Sequence, residues 1–377
     1  MPALPSAPLQ QPKGKNGMAD SREDRFVIGV GASSELASSL EGISTHPDPI
    51  GCDFNLPLKA VFYPLGFAVE ISTNCPEVLA AAEQNWKSFD KVYSAPPVQV
   101  RIAVIEGQGS YCPPPPNCRG QRNLVLFVAS PYDFAVCDLT TGFASCWLSV
   151  AAVANAAYLR YHFLDATVLL LIEALYLTPI HAACVAFQGR GLLLCGDSGA
   201  GKSSLSFACA RRGWTFVSDD ANFLVRGGQQ RIVVGNPYHL HFRESATELF
   251  PDLKAHCLTP RINGEIAIEL ATSNMPKILT CPQSPVDFLI FLNRGRSGPA
   301  SLRPFSKGRA LVRLEQVICY GEQHVRDAQR SSLRDLLRAE VLELRYSDLH
   351  SAVDCLEALV RAGGRSRTTE IPSRTSE

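Results

Sequence analysis

The apolar positions of this chain follow two different rhythms. From Phe26 to Asp165 they come in short runs separated by proline, glycine and asparagine, a pattern that predicts short strands joined by turns. Leu58–Tyr63 and Phe67–Ile71 flank Pro64, Leu65 and Gly66 as a hairpin-like arrangement. Val98–Ile105, Leu124–Val128, Phe134–Leu139 and Phe143–Leu148 read as further strands, with a proline-rich loop over Gln108–Arg122. Val78, Leu79, Ala82 and Trp86 fall at helical spacing. A helix is therefore expected after Asn74 and Cys75, with Pro76 in its first turn. Val150–Leu177 is apolar enough to raise the question of a membrane span. Arg160, His162, Asp165 and Glu173 interrupt it, so two packed helices joined near Asp165 are expected, the second ended by Thr178 and Pro179.

The second half alternates strands and helices. His181 heads an apolar strand, Ile180–Phe187, which a turn at Gln188–Gly191 connects to a second buried run, Leu192–Cys195. Ser204–Arg212 reads as a helix ended by Gly213, and Trp214–Val217 as a strand. Ala221–Val225 and Arg231–Val234 form a hairpin pattern around Gly227 and Gly228. His239 and His241 alternate with Leu240 and Phe242, which puts both histidines on one side of a strand. Glu244–Leu253 reads as a short helix, and Val286–Leu292 and Val341–Leu344 as strands. Ser347 is the expected cap of a last helix that carries Leu349, Val353, Leu356 and Val360 on one face. The fold class expected is α/β for this half, behind an α+β N-terminal domain.

Length and composition sharpen the division. The 377 residues, 46% of them hydrophobic, suffice for two domains with substantial cores. The boundaries expected are a disordered leader at 1–25, an α+β domain at 26–165, a nucleotide domain at 166–363 and a disordered tail at 364–377. Lys+Arg and Asp+Glu balance at 36 each, so bulk charge favours neither nucleic acid nor an anionic membrane as partner. The 13 cysteines form no C-x-x-C pair. Cys112 and Cys118, which flank four prolines, are the pair that an oxidising compartment would join; a reducing cytoplasm is the expected setting.

The chemistry concentrates between Gly196 and Asp220. Gly196, Asp197, Ser198, Gly199, Ala200, Gly201, Lys202 and Ser203 fit the phosphate-loop pattern G-x-x-x-x-G-K-S/T, placed between a strand and a helix. The glycines let successive backbone N–H groups turn toward one phosphate, Lys202 adds charge at the β and γ oxygens, and Ser203 is placed to hold magnesium. Asp219 and Asp220 close the next strand, where carboxylates suit magnesium coordination and proton acceptance. Arg243 is a candidate contact to a phosphate or to the acceptor. His239 and His241 lack a third metal ligand.

The set of His181 before a strand, the GDSGAGKS loop, a helix ending in Arg211, Arg212 and Gly213, and Val217-Ser218-Asp219-Asp220 resembles the catalytic domain of the HPr kinase/phosphorylase family. The resemblance implies a P-loop kinase domain of phosphoenolpyruvate-carboxykinase type, using ATP and Mg2+ to phosphorylate a serine hydroxyl. Carried onto these residues, it implies that Lys202 and the loop through Ser204 bind the nucleotide. Ser203 and Asp220 would hold magnesium, Asp219 would accept the proton, and His181 would orient that aspartate or the incoming group. A phosphocarrier-like protein or a small serine-bearing molecule is the implied acceptor, and a homo-oligomer the implied assembly. Ser204 stands where the family usually has an acidic residue, and the family's glutamate-isoleucine-arginine-glycine signature has no counterpart, so phosphorylase activity is not expected. A nucleoside triphosphatase driving a partner and a catalytically silent nucleotide-binding module are the competing readings.

Overall fold

The structure is a computed structural model that describes residues 55–106, 111–228, 230–260, 266–295, 297–318 and 321–363. The expected leader and tail, and the part of the N-terminal domain before residue 55, lie outside the described residues.

The first sheet contains seven strands: β1 (Leu58–Phe62), β2 (Val69–Thr73), β3 (Val98–Ile105), β4 (Asn117–Gln121), β5 (Leu124–Val128), β6 (Phe134–Asp138) and β7 (Phe143–Ser149). They run in the order β1-β2-β3-β7-β6-β5-β4, with β2, β3 and β7 parallel and the outer pairs antiparallel. Helix α1 (Pro76–Trp86) starts at a proline as expected, and its Val78, Ala82 and Trp86 are buried. Asn74 does not cap it. Its amide instead bridges to both backbone groups of Val104 on β3, at 2.8 and 2.9 Å. β4 was not expected, because all of its residues are exposed and carry no apolar alternation that could mark a strand.

The apolar segment after β7 breaks earlier than its charges suggest. Helix α2 (Val150–Ala154) ends at Asn155, whose side chain accepts from Tyr158 N and starts α3 (Ala156–Leu159). A π-helical turn, Arg160–Asp165, then runs directly into α4 (Ala166–Leu175). The break is thus at Asn155, and Asp165 lies inside a continuous helical run. α4 buries Val168, Leu171 and Ile172 in the same core as β2, β3 and β7, so helical packing crosses the expected boundary at residue 165.

Beyond it lie β8 (Leu177–Phe187), β9 (Arg190–Cys195), β10 (Thr215–Ser218), β11 (Ala221–Val225), β12 (Ile232–Gly235) and β13 (His239–Phe242). The remaining strands are β14 (Leu258–Pro260), β15 (Ile266–Ala271), β16 (Leu279–Thr280), β17 (Gln283–Pro285), β18 (Phe288–Arg294), β19 (Ser301–Pro304) and β20 (Glu340–Tyr346). The main sheet has the order β17-β12-β11-β8-β9-β18-β20-β19, with β10 also on β8; β13, β15 and β14 make a small separate sheet. Thr178 and Pro179 are strand residues, so His181 lies within β8 and not at its head. Helices α5 (Lys202–Arg211), α6 (Lys307–Leu314), α7 (Gln323–Leu336) and α8 (Leu349–Ala362) complete the fold. Asp348, not Ser347, caps α8, accepting from Ser351 N at 2.8 Å, while Ser347 donates to Gly298 O. The expected helix at Glu244–Leu253 is two 3-10 turns separated near Pro251. The architecture is mixed α/β with several mixed sheets. Among the described residues, no helix is long and apolar enough to cross a membrane.

Candidate phosphate-binding site

β9, β18 and β20 are parallel, so their C-terminal ends share one edge of the sheet, where open α/β sheets bind ligands. Leu192, Leu193 and Leu194 fix β9 by complete burial, and the chain leaves it at Gly196. Gly199 and Gly201 have φ of 84° and 95°, in the region that favours glycine. Gly201 is also where close approach forbids a side chain, since an added Cβ would stand 2.6 Å from the Tyr346 hydroxyl. That hydroxyl donates to Ala200 O at 3.1 Å, so the end of β20 holds the loop from behind.

α5 begins at Lys202, two residues earlier than its apolar pattern suggests, and no side chain caps it. Its first-turn N–H groups therefore face outward without a built-in acceptor, the arrangement in which a helix start receives an anion. The Lys202 side chain curls back to donate to Gly196 O at 2.9 Å and lies 3.0 Å from His181 Nε2. His181 Nδ1 in turn lies 3.1 Å from Asp220 Oδ1. An ammonium can only donate, so Nε2 accepts from Lys202 and Nδ1–H donates to Asp220. Burial pulls Lys202 below the usual lysine range, with Asp220 opposing. His181 is lowered by burial too, against the charge of Asp220 and with that of Lys202.

The adjacent aspartates occupy different surroundings, as neighbouring residues beside a strand should. Asp219 is 2% exposed and accepts from His241 N at 2.7 Å, with the His241 ring 3.4 Å away. Burial alone would raise its carboxyl; the hydrogen bond and charge of His241 outweigh it and lower the group to about 2. Asp220 is partly exposed. The expectation that His181 orients Asp219 thus meets a different geometry, because its partner is Asp220.

β13 lays a third wall. His239, His241 and Arg243 share one side of it, while Leu240 and Phe242 are buried. Phe242 packs with Phe207 of α5 and with Phe250, which fixes this strand against the helix that the loop opens. Arg243 Nη2 donates to Ser198 Oγ at 2.8 Å, which places this side chain beside the loop. His241 faces Glu269 of β15 as well as Asp219, and His239 lies 3.3 Å from Glu269. No group of three or more metal-ligating side chains occurs among the described residues. Magnesium at a phosphate site needs no such cage, because one or two carboxylates, a serine and the phosphates themselves suffice.

Gly196, Asp197, Ser198, Gly199, Ala200, Gly201, Lys202, Ser203 and Ser204 are all placed on the loop and the first turn of α5, with His181, Asp220 and Arg243 around them. Two further participants were missed. Tyr346 lies two residues past the apolar run that marked its strand, and only its position at a strand end hinted at it. The sequence offers His241 only as a histidine without a third metal ligand; that its backbone grips Asp219 depends on β13 folding over the loop, which is not encoded locally.

No family model matches this chain, and no curated protein matches it. Among solved structures, the Hpr(Ser) kinase/phosphatase from Coxiella burnetii aligns over 49% of this chain and 95% of its own, at 16% identity and a TM-score of 0.26. That likeness is distant, and what the site can do rests on its own geometry.

Proposed function

We propose that this chain is an ATP-dependent phosphotransferase of HPr-kinase-like, phosphoenolpyruvate-carboxykinase-type P-loop fold that phosphorylates a hydroxyl. The observation that carries the reading is the chain Lys202–His181–Asp220 set at the mouth of an uncapped glycine loop. A phosphate site alone needs only the loop and the lysine. A carboxylate held by a histidine beside it adds what transfer to a hydroxyl requires, an oriented proton acceptor.

In this mechanism the free N–H groups of the loop and Lys202 bind the β- and γ-phosphates, and Arg243 steadies the outermost oxygens. Asp220 has one oxygen engaged by His181; its other oxygen takes the proton of the acceptor hydroxyl as the γ-phosphoryl leaves ADP. Asp219, kept anionic by His241, would hold magnesium together with Ser203. These two roles exchange the ones expected from the family resemblance, and the exchange is supported by the burial of Asp219 and the His181 contact of Asp220. Magnesium would supply charge neutralisation between the β- and γ-phosphates. The acceptor is a phosphocarrier-like protein or a small serine-bearing molecule.

Replacing Lys202 with Ala tests the site: transfer of label from γ-labelled ATP should fall by about 100-fold or more. Transfer at near wild-type rate would remove this loop from the reaction.

A further inference from the structure

On the side of the main sheet opposite α5, α6 buries Ala310 and Leu314 in the core beneath β18 and leaves Lys307, Arg309, Val312 and Arg313 exposed. We propose that this face docks an acidic peptide segment of a partner protein, with Arg309 and Arg313 pairing its carboxylates and Val312 meeting an aliphatic side chain. This surface is independent of the phosphotransfer reading.

The two arginines are held in place without being neutralised. Phe291 of β18 and Phe305 stack with their ring centroids 4.4 Å apart. Arg309 lies over Phe305 at 5.2 Å, and Arg313 over Phe305 and Phe291 at 5.7 and 5.8 Å. Four residues apart on a helix, both guanidiniums fall on one face. Stacking on a ring engages the flat side of a guanidinium and leaves its N–H edge for a planar anion such as a carboxylate. Among the described residues, neither arginine stands within ion-pair distance of a carboxylate.

The surroundings add charge of the same sign. In the register of β9, β18, β20 and β19, Cys195, Phe291, Glu343 and Arg303 form one row on this side of the sheet, and Asn293 and Arg345 stand in the row beyond. Glu343 is the carboxylate of these rows, and both of its oxygens are engaged. Oε1 accepts from Asn293 at 3.1 Å and Oε2 from Arg345 at 2.7 Å. Glu315, half-buried, closes α6 at its C-terminal end. α7 shares the core under α6 and adds exposed Arg334 beside a balanced pair, Asp335 and Arg338, at 3.0 Å. Lys307, Arg309, Arg313 and Arg303 thus make a cationic patch on a chain whose formal net charge is zero. Val312 decides which anion suits it. At 64% exposure beside Arg313 it offers apolar contact that a nucleic-acid backbone leaves unmatched and that an aliphatic residue within an acidic peptide matches. Because the row of Phe291 is also that of Cys195, the residue before Gly196, the patch borders the end of the sheet that carries the phosphate loop.

Fluorescence anisotropy of the full chain with a labelled peptide of repeated glutamate-glutamate-leucine tests the proposal, with the glutamine counterpart and a single-stranded oligodeoxynucleotide of equal charge as companion probes. Saturable binding of the acidic peptide is expected, with both companions at least about tenfold weaker. Arg309→Gln combined with Arg313→Gln should weaken the acidic peptide by about tenfold or more and remove most of its salt dependence. Val312→Ser leaves both arginines in place and should weaken it about threefold to tenfold. All three positions are exposed, so a retained circular dichroism spectrum is expected in both variants. Lys202→Ala should bind the peptide as wild type does. No binding to wild type, equal or stronger binding of the glutamine peptide or the oligonucleotide, self-association of wild type that the arginine variant abolishes, or peptide binding unchanged in either variant would each overturn the proposal.

Discussion

At the scale of single residues, the chain uses burial to set charge. Asp219 is buried and Glu173 half-buried, yet the first is pushed down to about 2 and the second up to about 8. The difference is a hydrogen bond. Asp219 accepts from His241 N, whereas Glu173 has only the more distant charge of Arg226. Because the folded form holds the Glu173 proton more tightly than an unfolded chain would, its contribution to stability is full at acid pH and is lost as pH rises toward and through 8. Glu173→Gln should therefore stabilise the protein increasingly from pH 5 to pH 8, by on the order of 2–4 kcal/mol at the upper end, measured by urea unfolding across that range. An equal effect at both ends of the range would contradict the raised carboxyl. Tyr346→Phe keeps the packing and removes the hydroxyl from Ala200 O. Nucleotide binding should weaken about two- to tenfold with little change in fold, checked by titration with an ATP analogue.

At the scale of elements, the site depends on three pieces meeting: the loop opening α5, the end of β20 and the small sheet containing β13. Gly201→Ala should break the first meeting. It forces a side chain onto φ 95° and into the Tyr346 hydroxyl, and the loop must move to accept it. Loss of nucleotide binding with a retained circular dichroism spectrum is the expected result. Phe242→Ala opens a cavity between β13 and α5 and should cost about 3–5 kcal/mol in thermal or chemical unfolding, because Phe242 is 2% exposed and packs against two further rings. It should also loosen His241 and Arg243, the neighbours that reach Asp219 and Ser198. These dependences explain what could be read in advance. The loop, β8, β9, β10 and β11 carry continuous apolar runs or a motif with fixed spacing, and so were visible. β4 is wholly exposed, and β14, β16 and β17 are only two or three residues long. α7 has buried Val325, Leu333 and Leu336 on an otherwise polar surface, too sparse to mark a helix. The break at Asn155 was hidden for a different reason: a side-chain cap decided it, in a segment where interrupting charges drew attention to Asp165.

At the scale of the whole molecule, the two halves are joined by burial. α4 belongs by sequence to the expected nucleotide domain and by packing to the first sheet, and the core it completes also takes in Phe223 of β11 and Val234 of β12. Hydrophobic periodicity shows that a helix has a buried face, but not which sheet covers it. The same limit applies to the aspartates: their place at the end of β10 was legible, while which one meets His181 is decided by the turn from β10 to β11, both of which pair with β8. The proposed transfer of a phosphoryl group to a hydroxyl, with histidine-held Asp220 as proton acceptor, is tested with γ-labelled ATP, magnesium and cell extract. Wild type would be compared with Asp220→Asn, counting protein, small-molecule and inorganic-phosphate fractions separately. Label entering a protein or small-molecule fraction with wild type, reduced about 100-fold or more by Asp220→Asn, is the predicted result. Label found solely as inorganic phosphate, or transfer unaffected by the substitution, would contradict it.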